Sequence, residues 1–195
     1  MSSDIFQDSG CRLPLVARDS LGEAGRRIFD EAASPGRSLA GLKGPIGIWL
    51  YSQGSLPHLK GLHQYLRFDS GISPAVREIA ILVVARETSC QFQWATHEGA
   101  ALQAGASPTT IEVIKFRRGT ESLNEQDAVV IELGRQAFGA HAVSSDIYDR
   151  ALTLFGATML VDIVLLMGTA AASSALLTIF DMQLRPGQEP PLPIL

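Results

Sequence analysis

The sequence SPAVREIAILVVARETSCQFQWATHEGAALQAG, residues 73–105, predicts two consecutive helices and so decides how the centre of the chain folds. Ser73 followed by Pro74 is typical of a helix start, because serine caps free N–H groups and proline fits the first turn. The T-x-x-Q sequence at 88–91 fits a capping box, and Gly105 is a residue that often ends a helix. A second helix is therefore predicted from the T-x-x-Q box to this glycine.

The rest of the chain continues the helical pattern on both sides. Most segments have apolar residues spaced by three or four, and the alternation typical of strands is absent. Asn124 and Ser144 are further helix caps; a short helix is predicted to end at Gly156, and a long one follows over 158–181. The sequence thus predicts an all-α fold with an N-terminal arm, one helical domain and a proline-rich tail that wraps a neighbour or is loose, with bounds 1–20, 21–184 and 185–195.

The overall composition narrows the class of protein. A chain of 195 residues with 46% hydrophobic residues suits one folded domain, and its net charge of −4 argues against a nucleic-acid partner. The N-terminus lacks the basic and apolar regions of a signal peptide, and two cysteines make no disulfide framework, so a cytoplasmic protein is predicted. The sequence has no glycine-rich nucleotide motif, zinc motif or calcium loop, so neither a cofactor nor a metal is predicted.

One uncharged segment, 163–180, has nearly the length of a membrane span. Asp162 precedes it directly, glycine and hydroxyl residues dilute it, and no basic flank or aromatic belt marks its ends. We therefore expect a helix rich in small residues that is buried against other helices, including those of another subunit, and no membrane partner.

The chemically reactive side chains concentrate in the two central helices. Helical spacing places Cys90, Trp94 and His97 on one stripe with Gln93 beside it, and a thiol at a helix start is favoured as thiolate. Glu78 lies in an apolar helix, where a carboxylate must be paired, hydrogen-bonded or protonated, unless it pairs with Arg77 or Arg86 at a surface. With a raised pKa beside a histidine it would form a proton-transfer pair. Taken singly, a buried histidine or cysteine is more often a packed structural residue, so spacing alone leaves the function open.

The segment 73–105 resembles the carboxymuconolactone decarboxylase and alkylhydroperoxidase D-like family. That family has an R-E pair in a hydrophobic helix and, about twelve residues later, a C-x-x-C-x-x-x-H motif or its cysteine-free variant. Arg77, Glu78, Cys90, Gln93 and His97 occupy these places, and Trp94 fits the aromatic residue that often precedes the histidine. The resemblance implies an alkylhydroperoxidase D-like helical bundle that assembles into homo-oligomers, trimers or hexamers, with sites near subunit contacts.

The departure from the redox motif decides between the branches of this family. Gln93 stands where the alkylhydroperoxidase branch has its second cysteine, so the chain is more similar to the decarboxylase-like branch. The resemblance then implies cofactor-free decarboxylation or isomerisation of a small unsaturated lactone or carboxylic acid, as in the catabolism of aromatic compounds. His97 is the expected general acid/base, and Glu78 is expected to orient it.

A small-molecule substrate is expected to meet several further side chains. Gln93 would hydrogen-bond a carbonyl oxygen, and an arginine would bind a carboxylate. The candidates for substrate contact are Gln93, Trp94, Arg86, Arg67 and His63, with Trp49 and His58 as further lining residues. Two alternatives stay open: a thiol-dependent peroxidase that uses Cys90, and a non-catalytic module that binds a small acid.

Overall fold

The computed structural model describes residues 4–194, so Met1 to Ser3 of the predicted arm and Leu195 of the predicted tail lie outside the described residues. Within this range the chain is all-α, with an isolated bridge between Phe6 and Cys11 and no strand, which confirms the predicted class. The helices are α1 Glu23–Ala33, α2 Pro45–Trp49, α3 Leu56–Gln64, α4 Pro74–Glu87, α5 Gln91–Gln103, α6 Pro108–Lys115, α7 Glu125–Gly134 and α8 Ser145–Ile179. Two π-helical turns, Tyr65–Asp69 and Arg135–Ala140, extend α3 and α7.

Helix α4 forms the centre of the fold. Its seven consecutive apolar residues from Ile79 to Ala85 are all buried, because α5, α7 and α8 cover it on different sides. Helix α7 approaches closely at Gly134, where an added Cβ atom would lie only 2.5 Å from Cγ1 of Val83. Burial on all sides explains why a carboxylate on α4 needs partners within the protein.

The turn between α4 and α5 differs from the predicted capping box. Thr88 ends α4, and its hydroxyl donates to the carbonyl oxygen of Val84 at 2.7 Å. Ser89 adopts a left-handed conformation with φ of 52°, and Cys90 is the residue that caps α5. The prediction of a helix beginning at Thr88 was therefore wrong by three residues, because the threonine hydroxyl bonds back to its own helix.

Helix α8 combines the two last predicted helices. Its backbone leaves helical geometry at Gly156, with φ of 69° and ψ of 167°, where the short predicted helix ends. Helix α8 is long and apolar enough to cross a membrane, but the core helix of a soluble protein can have the same length and composition. One of its faces packs in the core of the chain, and the opposite face is exposed on it. The exposed large apolar residues of α8 are Tyr148, Leu154, Val161, Val164, Leu165 and Ile179.

The described part of the C-terminal tail has no helix, as its prolines predict, and it is held against its own chain. Leu192 is buried in the main hydrophobic cluster. The side-chain amide of Gln91 accepts from the backbone N–H of Leu192 at 2.8 Å and donates to its carbonyl oxygen at 3.0 Å. Arg86 donates to the carbonyl oxygen of Pro193 at 3.1 Å. The tail therefore closes the N-terminal end of α5.

Candidate active site

A cavity of about 300 Å³ lies between α3, α5 and α8, with part of its wall from α1, α2 and the segment between them. Its walls are mainly apolar and include Trp49, Leu59 and Phe92. The polar side chains of the candidate site that line it are His63, Arg67, Gln93 and His97. A mainly apolar cavity with a few convergent polar groups is typical of a small-molecule site.

Glu78 and His97 form a buried pair at the wall of this cavity. Oε2 of Glu78 lies 2.7 Å from Nδ1 of His97, and Oε1 accepts from Arg77 at 3.2 Å and from Arg67 at 3.3 Å. Burial raises the pKa of Glu78, but the hydrogen bond and charge of His97, together with the two arginines, hold it below its ordinary value. Of the states expected for this carboxyl, the paired and hydrogen-bonded carboxylate is the one found, and its pKa is not raised because these partners favour the charged form.

The ionised carboxylate fixes how His97 presents its imidazole. A carboxylate only accepts hydrogen bonds, so Nδ1 of His97 donates its proton to Glu78. The other ring nitrogen, Nε2, is then the one that can exchange a proton with a molecule in the cavity, which His97 lines. The pair is thus arranged for general acid–base chemistry at Nε2.

His63 and Arg67 lie one turn apart on the α3 side of the cavity. The ring of His63 contacts Trp49 edge-on, with 5.1 Å between centroids. Burial, with smaller effects from the charges of Arg67 and His97, lowers the pKa of His63 to about 4, so its imidazole is neutral at pH 7. Arg67 is therefore the cation of this group that lines the cavity at neutral pH.

Gln93 lies one turn before His97 on α5, and both line the cavity, as their spacing of four predicts. Its side chain is only 4% exposed, and its Oε1 accepts from the hydroxyl of Ser174 at 2.7 Å. Ser174 comes from α8, about eighty residues later, so sequence spacing gave no sign that it meets Gln93. The one signal was a serine inside an otherwise apolar helix.

Four residues of the predicted site lie outside the cavity lining, and so does His58; the four are Glu78, Trp94, Arg86 and Cys90. Glu78 contacts the cavity only through its bond to His97. Trp94 is fully buried in the main hydrophobic cluster with α4, and Arg86 contacts the tail. Cys90 is buried in a second cluster that also holds Cys11. Because Cys90 precedes the first helical residue and has an extended conformation, helical spacing did not place it on the face of His97.

The environment of Cys90 also differs from a reactive thiol site. Burial raises the pKa of the Cys90 thiol more than the hydrogen bonds from Gln93, Ser174 and Phe92 lower it. The expectation of a thiolate at this helix start was therefore wrong, since the site is closed to solvent. Cys11 and Cys90 are both free and buried.

Metal ligands and similarity to known proteins both bear on what this site can do. Residues 4–194 contain no group of three or more His, Cys, Asp or Glu side chains arranged to hold a metal ion. No curated protein matches the chain. A family model matches about a third of the chain, the part that contains α3 to α6 and the residues Glu78, Gln93 and His97. This match confirms the resemblance seen in the sequence: residues 56–121 match the model of the Carboxymuconolactone decarboxylase family.

Proposed function

We propose that the protein is a cofactor-free enzyme that decarboxylates or isomerises a small unsaturated lactone or carboxylic acid, with His97 as general acid/base. The observation that carries this proposal is the 2.7 Å contact between Glu78 and His97 at the wall of a mainly apolar cavity. An imidazole with one nitrogen held by a buried carboxylate and the other free toward a small-molecule site has the arrangement that proton transfer requires.

For a decarboxylation, the bond between the substrate carbon and its carboxylate breaks and carbon dioxide leaves. The electron pair of that bond moves into the conjugated carbonyl and forms an enolate, which then takes a proton at carbon from Nε2 of protonated His97. For an isomerisation, neutral His97 removes a proton from one carbon and returns it to another. In both cases Glu78 stabilises the imidazolium through Nδ1.

Binding and orientation are proposed for the polar side chains around His97. The guanidinium of Arg67 would bind a substrate carboxylate, because it is the cation beside His63 and His97 in the lining. Gln93 would hydrogen-bond the carbonyl oxygen on which negative charge develops. The apolar walls around Trp49 and Phe92 suit the unsaturated body of the molecule and exclude water from it.

The burial of Cys90 supports proton chemistry over thiol chemistry. A peroxidatic thiol needs access to peroxide and a low pKa, whereas the Cys90 side chain is buried and its pKa is raised. Gln93 occupies the position of the second cysteine in the redox motif, so an oxidised Cys90 would need an external thiol to reduce it.

The test is turnover of a panel of unsaturated lactone acids and unsaturated oxo acids. Carbon dioxide release and deuterium uptake from solvent would be followed by NMR for the wild type and for His97→Gln. We expect the variant to lose roughly 10²–10⁴-fold in turnover, the contribution of a positioned proton donor. His58→Gln is the matched control, because His58 is an exposed histidine of α3 outside the cavity lining.

Equal turnover by His97→Gln would remove His97 as the catalyst. Binding of panel members without any turnover would favour the non-catalytic small-acid module instead. Peroxide consumption that requires Cys90 and an external thiol would favour the peroxidase. These three results differ in their readouts, so each contradicts the proposal in a separate way.

We also propose that the protein works as a homo-oligomer, a trimer or hexamer, joined through the exposed face of α8. That face carries Val161, Val164, Leu165 and Ile179, and the one charged residue in this span, Asp162, is buried. Contiguous exposed apolar side chains of this kind typically mark a protein interface. Light scattering of the purified protein tests this, with Val164→Glu expected to shift it toward monomer and a monomeric wild type contradicting it.

A further inference from the structure

The hydroxyl of Ser174 contacts two side chains in the interior of the protein. It donates to Oε1 of Gln93 at 2.7 Å and lies 3.0 Å from the hydroxyl of Thr88. Ser174 is only 1% exposed and stands in the apolar part of α8. A polar group buried this deeply costs stability unless it is hydrogen-bonded, and the bond to Gln93 uses its one proton.

The contact with Gln93 fixes which end of its amide faces the cavity. An amide oxygen only accepts hydrogen bonds, so the single proton of the Ser174 hydroxyl goes to Oε1. The Nε2 group of Gln93, which has two protons to donate, then has no hydrogen-bond partner among residues 4–194. Because Gln93 lines the cavity beside His97, this NH₂ group is available to a bound molecule.

We propose that Ser174 is a positioning residue, which holds the Gln93 amide so that its NH₂ group donates to the oxygen of a bound substrate where negative charge develops. This role rests on the proposed function and deepens it, because a donor at that point favours substrates that react through an enolate or a similar oxyanion. Thr88 contacts the Ser174 hydroxyl at 3.0 Å and acts on Gln93 only through it.

The orientation is tested first on the protein without ligand. A neutron or atomic-resolution crystal structure distinguishes the oxygen from the nitrogen of the Gln93 amide through their hydrogen atoms. We expect Oε1 to face Ser174. Nε2 in that place would overturn the proposal, because the cavity would then meet a carbonyl acceptor. This result does not depend on turnover, so it is distinct from a failure of the proposed function.

The effect on binding is tested with an unreactive probe, the saturated lactone acid 5-oxotetrahydrofuran-2-carboxylate, followed by the fluorescence of Trp49. We expect Gln93→Ala and Ser174→Ala each to weaken its binding by roughly 3- to 10-fold, the loss of one hydrogen bond. The double variant should be no weaker than Gln93→Ala, because Ser174 acts only through that amide.

Losses that multiply in the double variant would overturn the positioning role, since Ser174 would then act independently of Gln93. Thr110→Val is the control for the removal of a buried hydroxyl, because Thr110 bonds Asp127 outside the cavity lining. We expect it to leave binding of the probe unchanged. Ser174→Thr keeps a hydroxyl and should restore part of the affinity, whereas equal losses for the alanine and threonine variants would contradict the role.

Discussion

The two ends of one short stretch of α5 have opposite environments. Gln93 and His97 face a cavity, and each has one polar atom held by a buried partner and another free toward that cavity. Cys90, at most seven residues away, is closed in by α8, the segment that follows it and the N-terminal arm. Cys90 precedes the first helical residue, whereas Gln93 and His97 lie within the helix. This position, and not distance along the chain, decides which side chains face the cavity and which are packed in the interior.

The comparison also explains why the acid–base pair and the thiol differ in their charge states. Glu78 is more deeply buried than most carboxylates, yet three positively charged or protonatable partners keep it ionised. Cys90 has only weak hydrogen bonds to offset its burial, so its pKa rises. Burial alone therefore does not decide the charge of a group; the partners present in the fold decide it.

Breaking the Glu78–His97 pair should give the largest change in stability. Glu78→Gln leaves two arginines and a histidine without their buried anion, and we expect a loss of about 3–5 kcal/mol in the free energy of unfolding. Because the folded pKa of Glu78 is lowered, its contribution is present above the ordinary glutamate pKa and is lost as pH falls through the lowered value. Urea unfolding of both proteins at pH 7 and pH 3 measures this difference.

The control for this prediction is Glu112→Gln, which removes an exposed carboxylate paired with Arg118 at 2.8 Å. An exposed pair of this kind contributes at most about 1 kcal/mol. Equal losses for the two variants would mean that the buried pair at the cavity contributes no more to the free energy of unfolding than an exposed pair does.

Much of the cavity side was predictable from the sequence, because its residues are related by helical spacing. The spacing of four between Gln93 and His97 gave their shared face, and the apolar run of α4 gave the buried surroundings of Glu78. The contribution of α8 was not predictable in the same way, since Ser174 meets Gln93 through packing between distant helices. Spacing along the sequence shows which residues share a face of one helix, but not which residues of another helix they contact.

The packing of the C-terminal tail could not be predicted from the sequence, for a different physical reason. Prolines in the tail excluded a helix, but they carry no information about where an extended segment packs. The hydrogen bonds of Gln91 to both backbone groups of Leu192 became visible only in the fold. Arg86 was assigned to substrate because of its charge, whereas its actual partner is the backbone of Pro193.

The closed end of α5 is tested by Leu192→Ala, which removes a buried side chain from the main cluster. We expect a loss of about 2–4 kcal/mol in the free energy of unfolding, the usual result of a leucine truncation in a core. Ile194→Ala is the matched control in the same tail, because Ile194 is fully exposed, and it should change stability by less than about 0.5 kcal/mol. Equal small effects would mean that the tail does not close this end in solution.

On the cavity side, we expect His63 to cause a smaller change in stability that depends on pH. Its folded pKa of about 4 lies below the ordinary value of 6.5, so the unfolded chain binds a proton more readily. The stability that neutral His63 contributes is therefore complete above pH 6.5 and is lost progressively as pH falls toward 4. We expect the wild type to lose about 1–2 kcal/mol more than His63→Phe between pH 7 and pH 5. Parallel curves for the two proteins would contradict the buried, neutral imidazole.

The smallest expected effect concerns the reaction rate of the thiols. Measuring this rate compares the two ends of α5 without any substrate. Cys90 and Cys11 are 5% and 1% exposed, so a thiol reagent such as Ellman's reagent should react with them at least about 100-fold more slowly in the native protein than in denaturant. Ser52→Cys, which adds an exposed thiol, is the control and should react at once. Rapid reaction of Cys90 in the native wild type would mean that both ends of α5 are open, and it would return the thiol to the chemistry of the site.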